Sequence, residues 1–148
     1  MLLSSCGYHL RGATDTPAEM QRTYIATEDR HSQFYQALRV ELRASGIELV
    51  DSPAEATAIF SIHTDRTRQR VLSVSSRNVP TEYEVFYTVS YSVESGQMSL
   101  MDRRHQTLLQ DYTWDETLVL GKEQEQQQLR KAIVDDLVRV VMIQLSSL

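Results

Sequence analysis

The last helical segment of the chain, Glu123 to Leu145, places the strongest constraint on the fold. Apolar residues recur in it every three or four positions, which is the spacing of one face of an α-helix. They form two adjacent rows, so the apolar face is too wide for a helix that is largely surrounded by water. The rows are Leu129, Ile133, Leu137, Val141 and Leu145, and beside them Val134, Val138 and Met142. We therefore predict that this helix packs flat against a β-sheet.

Alternation of apolar and polar residues predicts the strands of that sheet. Tyr83 to Val93 has the clearest alternation, broken only at Phe86, and is typical of a strand with one buried face. Weaker β-prone segments are predicted at 23–27, 47–50, 58–63, 71–76 and 108–114.

A second helix is predicted from Ser32 to Ser45. Phe34, Leu38 and Leu42 recur there at intervals of four, and Gly46 follows at the position where a left-handed cap favours glycine. The order of elements predicts an α+β two-layer sandwich. Its two helices would pack on one face of a mostly antiparallel sheet of about four strands.

The single cysteine of the chain, Cys6, lies in the sequence Leu3-Ser4-Ser5-Cys6-Gly7. An aliphatic residue and two small residues before a cysteine resemble the lipobox of bacterial lipoproteins, in which the thiol takes a diacylglycerol. Several acyl chains anchor a protein firmly, because each buried CH₂ contributes about 0.8 kcal/mol. The motif predicts lipid attachment at Cys6. A chance cysteine near the terminus is the alternative that these residues leave open.

The position of Cys6 also predicts the domain boundaries. Five residues precede it, whereas a working signal peptide needs a charged start and an apolar core of about 7–15 residues. We interpret residues 1–5 as the remnant of a lipoprotein signal peptide. Residues 6–22 carry Gly12 and Pro17 and little periodicity, so they are predicted to be a tether. Residues 23–148 then form a single domain.

Composition and motifs argue against several classes of function. The net charge is −5, whereas nucleic-acid-binding domains are usually basic. No apolar run approaches the roughly 18 residues of a membrane-spanning helix. The histidines are scattered and no glycine-rich phosphate loop is present, so neither a metal nor a cofactor is predicted. Asp115 and Glu116 could form a carboxylate pair, but a solvated loop beside Trp114 is the preferred interpretation.

A basic strip from Arg66 to Pro80 is the main electrostatic feature of the chain. It contains Arg66, Arg68, Arg70 and Arg77 and no acid. In a strand the first three would point to the same side. Guanidinium groups bind phosphate bidentately, which favours a phosphorylated ligand. A charged edge that discourages sheet-to-sheet aggregation explains the same residues equally well.

Four stretches of the chain together resemble one family. Cys6-Gly7-Tyr8-His9-Leu10-Arg11-Gly12 looks like the mature start of the LPS-assembly lipoprotein LptE family, where Cys-Gly is followed by an aromatic residue, often His, and Leu-Arg. Leu38 to Asp51 and Arg77 to Tyr91 agree with the family in order and spacing. So does Leu118 to Glu123 with the amphipathic helix after it. The resemblance covers nearly the whole chain.

The resemblance implies a non-enzymatic outer-membrane lipoprotein that is lipid-anchored on the periplasmic face. Gly7 is consistent with that location, because by the lipoprotein sorting rule a residue other than Asp after the cysteine favours the outer membrane. Members of the family plug and help to assemble the β-barrel LptD, and they bind lipopolysaccharide during its delivery to the outer leaflet. The implied partners are therefore an LptD-type barrel, lipopolysaccharide and the membrane, with no nucleic acid and no cofactor.

The resemblance also implies a ligand site. Lipopolysaccharide contacts in the family fall on an arginine just before the alternating strand and on a lysine that opens the last helix. These residues are Arg77 and Lys122 in this chain. Arg66, Arg68 and Arg70 are weaker candidates, which the basic strip adds.

One departure from the family pattern and two alternative functions accompany this interpretation. Gly121 stands where the family often has alanine, and a glycine there could loosen the start of the helix. The alternative function is a scaffold lipoprotein of another envelope-assembly complex, without a lipid ligand. A periplasmic enzyme is disfavoured because the sequence shows no nucleophile–base pair.

Overall fold

The computed structural model describes residues 16–113 and 119–148, and the side chains of the last helix from residue 124 onward. Two short 3-10 turns, Ala18–Met20 and Pro53–Glu55, precede the first and third strands. The strands and helices are β1 (Arg22–Ala26), α1 (Gln33–Ala44), β2 (Glu48–Leu49), β3 (Ala58–Val74), β4 (Pro80–Ser95), β5 (Met98–Thr113) and α2 (Val119–Leu145).

The strands form one sheet in the order β2-β1-β3-β4-β5. β1 runs parallel to both β2 and β3, whereas β3, β4 and β5 form an antiparallel meander. The α+β class and the two helices are confirmed, but the prediction of about four mostly antiparallel strands is wrong. The sheet is mixed and has five strands. The physical reason is α1, which returns the chain to the end of the sheet where β1 began, so the next strand must run parallel to β1.

Helix α1 begins and ends where its sequence signals predict. Ser32 caps the N-terminus, and its hydroxyl oxygen accepts a hydrogen bond from the backbone N–H three residues later at 3.0 Å. Phe34, Leu38 and Leu42 are all buried, which confirms the predicted apolar face. Gly46 follows with φ +86°, the left-handed conformation that favours glycine. This turn directs the chain into β2.

Helix α2 buries the two predicted apolar rows except Leu129, which is half-buried. Its buried residues are Ile133, Val134, Leu137, Val138, Val141, Met142 and Leu145. The helix begins at Val119 rather than at Glu123. Periodicity could not predict these additional residues because the apolar rows start only at Leu129. At the other end, the Tyr91 hydroxyl of β4 donates a hydrogen bond to Gln144 Oε1 at 2.8 Å, which ties the helix to the sheet.

The three long strands β3, β4 and β5 present two different faces. The helix-side face packs against the helices and includes the buried Val85, Val89 and Tyr91, which confirms the predicted alternation in β4. The other face, called the open face below, is covered by no helix of the described residues. Phe86 lies on this open face, because it sits between two helix-side residues of β4. Phe86 is therefore an apolar residue at a position where the alternation in β4 would place a polar one, and it does not enter the core.

The described end of the predicted tether packs onto the domain. Met20 is fully buried, and its carbonyl accepts a hydrogen bond from the Thr23 hydroxyl at 2.7 Å. Residues 1–15 lie outside the described residues, and with them the predicted signal remnant and the rest of the tether.

Candidate functional site

Three of the predicted arginines lie side by side on the open face. Arg66, Arg68 and Arg70 alternate along β3, as predicted, and all three are exposed. Their neighbours across the strand pair are Thr88, Phe86 and Glu84 of β4. Arg66 and Arg68 form no ion pair with any residue of the described ranges. No acid of the described residues therefore neutralises their guanidinium groups.

Arg70 differs from its two neighbours because an acid neutralises it. Its Nε lies 2.6 Å from Oε2 of Glu84, whose side chain is only 11% exposed, whereas the arginine side chain is 64% exposed. A poorly solvated carboxylate is costly without its cation. Arg70 therefore balances Glu84, which makes it a weaker ligand candidate than Arg66 or Arg68.

We expect Arg70→Ala to lower the free energy of unfolding by about 1–2 kcal/mol, because Glu84 loses its cation in a poorly solvated position. The expected loss is smaller than for a fully buried pair because the guanidinium is largely exposed. Urea denaturation measures it. Arg68→Ala, on the same face and without an ion pair in the described chain, is the matched control and should cost less than about 0.5 kcal/mol. Equal losses would contradict the assignment.

Arg77 stands at the apex of the β3–β4 hairpin, in the turn formed by residues 75–79. The Ser75 N–H donates to the Val79 carbonyl at 2.7 Å, and the Asn78 N–H donates to the Ser75 carbonyl at 2.9 Å. Asn78 has φ +60°, which asparagine adopts more readily than most residues. Ser75 Oγ also accepts from the N–H of Arg77 at 3.3 Å. The turn thus fixes the backbone at Arg77, and the residue is exposed.

Lys122 lies in the first turn of α2, and its side chain is outside the described part of the chain. One turn later, Gln126 Nε2 donates to Gln69 Oε1 at 3.0 Å and to the Tyr112 hydroxyl at 3.3 Å. From this level β3 continues toward the hairpin that carries Arg77. The C-terminal end of α2 contacts Tyr91, which lies toward the end of β4 away from this hairpin. The first turn of α2 therefore lies toward the hairpin. The backbone positions of Arg77 and Lys122 are therefore at the same end of the domain.

Cys6, the predicted lipid-attachment residue, lies outside the described residues. Within residues 16–113 and 124–148, no three His, Cys, Asp or Glu side chains are grouped closely enough to hold a metal ion. Over the described helices, none combines the length and the apolar character needed to cross a membrane.

Asp65 forms a polar junction between α1 and the sheet that the sequence reasoning missed. One carboxylate oxygen accepts from the Ser32 hydroxyl, and the other accepts from the Tyr87 hydroxyl at 2.5 Å. Burial raises the pKa of Tyr87 well above its usual range, and the hydrogen bond to Asp65 and the charge of Asp65 act in the same direction. This junction fixes the start of α1 against the middle of the long strands.

A serine–histidine pair also comes together on the open face. His63 Nε2 lies 2.8 Å from Ser92 Oγ. Burial lowers the pKa of His63, as does the nearby charge of Arg103, whereas Glu94 opposes them. Sequence patterns could not reveal this pair because its members lie on different strands. Neither the surface groove between α1 and α2 nor the small cleft beside Tyr24 is lined by His63 or Ser92, so neither gives the pair an enclosed substrate site.

An apolar groove of about 960 Å³ runs between the two helices on the outer surface of the domain. Its lining includes Ala37, Val134, Val138 and Met142, with the exposed Val40 and Ile143 among its residues. Of the predicted site residues that the structure describes, Arg66, Arg68, Arg70 and Arg77, none lines it. The groove therefore belongs to the packing of α1 against α2 and not to the basic strip.

Comparison with known proteins identifies the family. The family described as LptE, lipopolysaccharide-assembly, matches residues 20–145. The LPS-assembly lipoprotein LptE of Pectobacterium atrosepticum is 27% identical over 95 residues, which cover 63% of this chain and 51% of that protein. The LPS-assembly lipoprotein LptE of Yersinia enterocolitica is 28% identical over 94 residues, covering 63% and 45%. The chain thus spans about half the length of these curated relatives.

Solved structures share the fold. The solution structure of lipoprotein B from Nitrosomonas europaea has a TM-score of 0.77 at 23% identity, covering 96% of this chain and 92% of that one. The crystal structure of the rare lipoprotein B from Shewanella oneidensis has a TM-score of 0.72 at 20% identity, covering 85% and 94%. At these identities the likeness shows the α+β arrangement alone. The match over residues 20–145 carries the assignment, and this chain belongs to the LptE family of lipopolysaccharide-assembly lipoproteins.

Proposed function

We propose that this chain is a non-enzymatic outer-membrane lipoprotein, anchored through Cys6 on the periplasmic face. In this proposal it plugs and helps to assemble an LptD-type β-barrel and binds lipopolysaccharide during delivery to the outer leaflet. Membership of the LptE family supports the general role in lipopolysaccharide assembly. The barrel partner, the lipid anchor and the ligand contacts are the further steps that we propose.

The observation that carries the ligand part is the common location of two basic positions. Arg77 is exposed at a hairpin apex and forms no ion pair with any described residue. Lys122 lies in the first turn of α2, at the same end of the domain. Cations at one end suit the clustered phosphate groups of lipopolysaccharide, because arginine binds phosphate bidentately and lysine binds it as a point charge. Arg66 and Arg68 extend this positive surface along the open face.

Charge reversal at both positions tests the ligand proposal. We expect Arg77→Glu combined with Lys122→Glu to weaken binding of purified lipopolysaccharide on the order of tenfold or more, about 1.4 kcal/mol, with no loss of folding. The double variant Arg43→Glu with Arg139→Glu is the matched control. It has the same change in net charge, but both residues lie in the C-terminal halves of the two helices. Titration by fluorescence or surface plasmon resonance measures the affinity.

Unchanged affinity in the first double variant would remove the ligand proposal. Equal weakening in both double variants would show that net charge, and not this end of the domain, determines binding. The barrel proposal is tested separately by co-purification from native membranes, where we expect an LptD-type barrel to be recovered. Recovery of other envelope proteins without such a barrel would favour the scaffold alternative.

A further inference from the structure

The open face has a depression where β4 carries only small side chains. Thr88, Ser90 and Ser92 all point to this face, because alternate residues of a strand lie on the same side. Farther along β4 the same face carries Phe86 and Glu84, which are much larger. The two strands that flank β4 are about 10 Å from each other, so their longer side chains form walls on both sides. We call this depression the serine trough.

Ser90, at the centre of the serine trough, has a hydroxyl group without a partner in the described chain. The residue is only 1% exposed, and no described residue forms a hydrogen bond with its side chain. Its neighbours on β4 differ from it. Ser92 Oγ lies 2.8 Å from His63 Nε2, and Thr88 Oγ1 lies 2.9 Å from Thr107 Oγ1. Because a polar group removed from water without a partner is unfavourable, an acceptor in the trough would stabilise Ser90.

The walls of the serine trough carry four side chains that can be positively charged. They are His63 and Arg66 on β3 and Arg103 and His105 on β5, and all four are exposed. His105 lies directly opposite Ser90, and Arg66 lies directly opposite Thr88. None of the four forms an ion pair with a described residue. The trough is therefore bordered on both sides by cationic groups that no acid of the described chain neutralises.

Two bulges bring His63 and Arg103 together at the Ser92 end of the trough. His63 is an additional residue in β3, and β5 has Asp102 and Arg103 where β4 has Ser92 alone. Bulges redirect side chains and are frequent beside functional sites. Burial lowers the pKa of His63 and the charge of Arg103 lowers it further, whereas Glu94 opposes them. Two adjacent cationic groups without an acid at ion-pair distance favour an anion between them.

Three kinds of hydrogen-bond donor thus face one small volume, namely guanidinium groups, imidazole N–H groups and a serine hydroxyl. A carboxylate offers two oxygens in one plane, whereas the oxygens of a phosphate group point in several directions and accept from donors on both walls and the floor. Guanidinium groups in particular bind phosphate oxygens bidentately. We propose that the serine trough binds a phosphate group, which contacts Arg103, His105 and the hydroxyl of Ser90. Free phosphate and a phospholipid headgroup share this chemistry.

The serine trough is a different site from the hairpin end that carries Arg77. Ten residues of β4 separate Ser90 from Pro80, which follows that hairpin turn. At about 3.3 Å per residue this distance is roughly 33 Å. The phosphate site requires neither lipopolysaccharide nor a barrel, so its failure would leave the proposed function intact, and the reverse also holds.

Phosphate titration followed by nuclear magnetic resonance tests the site. In the full-length chain, inorganic phosphate at constant ionic strength should produce saturable shifts in the backbone amide signals of Ser90, Ser92 and His105. Arg103→Gln should weaken binding on the order of tenfold, because it removes a charged donor. Ser90→Ala should weaken it roughly threefold. The alanine variant should stay folded, because no described residue depends on the hydroxyl that it removes.

Arg104→Gln is the matched control for Arg103→Gln. It removes the same charge from the next residue, which lies opposite Tyr91 and therefore on the helix-side face. Its affinity for phosphate should stay within about twofold of the parent's. Equal weakening in the two glutamine variants, or the absence of saturable shifts around Ser90, would overturn the proposal.

Vesicles of phosphatidylcholine with and without phosphatidic acid identify the source of the phosphate group. If a headgroup occupies the trough, the parent should co-sediment with the phosphatidic acid vesicles, and inorganic phosphate should displace it. Arg103→Gln should then co-sediment on the order of tenfold less. If the trough takes free phosphate alone, the parent should stay in solution although the phosphate titration saturates. Co-sedimentation that Arg103→Gln leaves unchanged, without a saturable phosphate titration, would overturn the proposal.

Discussion

Replacing Asp65 with alanine is expected to lower the free energy of unfolding by about 3 kcal/mol, because two hydrogen bonds to a charged acceptor are lost at once. The Tyr87 hydroxyl donates to one carboxylate oxygen at 2.5 Å, and Tyr87 is only 5% exposed, so water cannot readily replace the acceptor. The other oxygen holds the Ser32 hydroxyl, which also caps α1. Such a loss is a large share of the stability of a domain of this size.

The stabilisation by Asp65 is divided between its two hydrogen-bond donors, the hydroxyl groups of Tyr87 and Ser32. Single substitutions of the two donors measure each share. Tyr87→Phe and Ser32→Ala should each lose part of the stability. The Asp65–Tyr87 double-mutant cycle should give a coupling energy of about 1 kcal/mol or more. Asp135→Ala is the matched control, because its ion pair with Lys131 is exposed and should contribute less than about 0.5 kcal/mol. Guanidinium denaturation measures the four single variants and the Asp65–Tyr87 double variant. A loss below about 1 kcal/mol for Asp65→Ala would show that Asp65 does not fix α1 to the sheet.

The Asp65 junction also shows where sequence periodicity ceased to be sufficient. Ala58, Phe60 and Ile62 alternate correctly onto the helix-side face. The register then shifts between Ile62 and Thr64, where His63 is an additional residue. A bulge reverses the parity of all later residues. As a result, the side chain of Asp65 points toward the helices and that of Arg66 lies on the open face. Simple alternation continued from Ile62 would have predicted the reverse, and nothing in the local sequence marks the bulge.

The predictable parts of the fold are those that local chemistry determines. The face of α1, its Ser32 cap and the Gly46 turn all follow from the side chains of one segment. The parallel pairing of β1 with two neighbours does not, because it depends on where α1 returns the chain. The two-residue β2 contributes too little sequence to indicate its partner.

The same distinction applies to the candidate site. The common side of Arg66, Arg68 and Arg70 follows from their spacing along one strand. The neutralisation of Arg70 does not, because Glu84 reaches it only through the β3–β4 register. The position of Arg77 in an apical turn follows the structure of the hairpin, and its proposed ligand role came from resemblance to a family. A pattern of charged residues in a sequence thus identifies candidate ligand-binding residues. The pairing of the strands then determines which of these residues are neutralised by an acid.

Leu137→Ala is expected to lower the free energy of unfolding by about 3 kcal/mol, within the usual 2–5 kcal/mol for a buried leucine. Leu137 lies in the middle of the apolar face of α2 and is fully buried. Its loss leaves a cavity between the helix and the sheet that neighbouring β-branched side chains, which have few rotamers, cannot readily fill. The measurement is chemical denaturation followed by far-ultraviolet circular dichroism.

Ile143→Ala is the matched control, because it removes a similar volume from the same helix at a site that is 61% exposed. Its cost should stay below about 0.5 kcal/mol, since little apolar surface returns to water and alanine favours the helix. A large difference between the two variants would confirm that α2 is stabilised by the face it presents to the sheet and not by intrinsic helix propensity. Similar small losses would mean that the wide apolar face, from which the two-layer fold was predicted, does not hold the layers together.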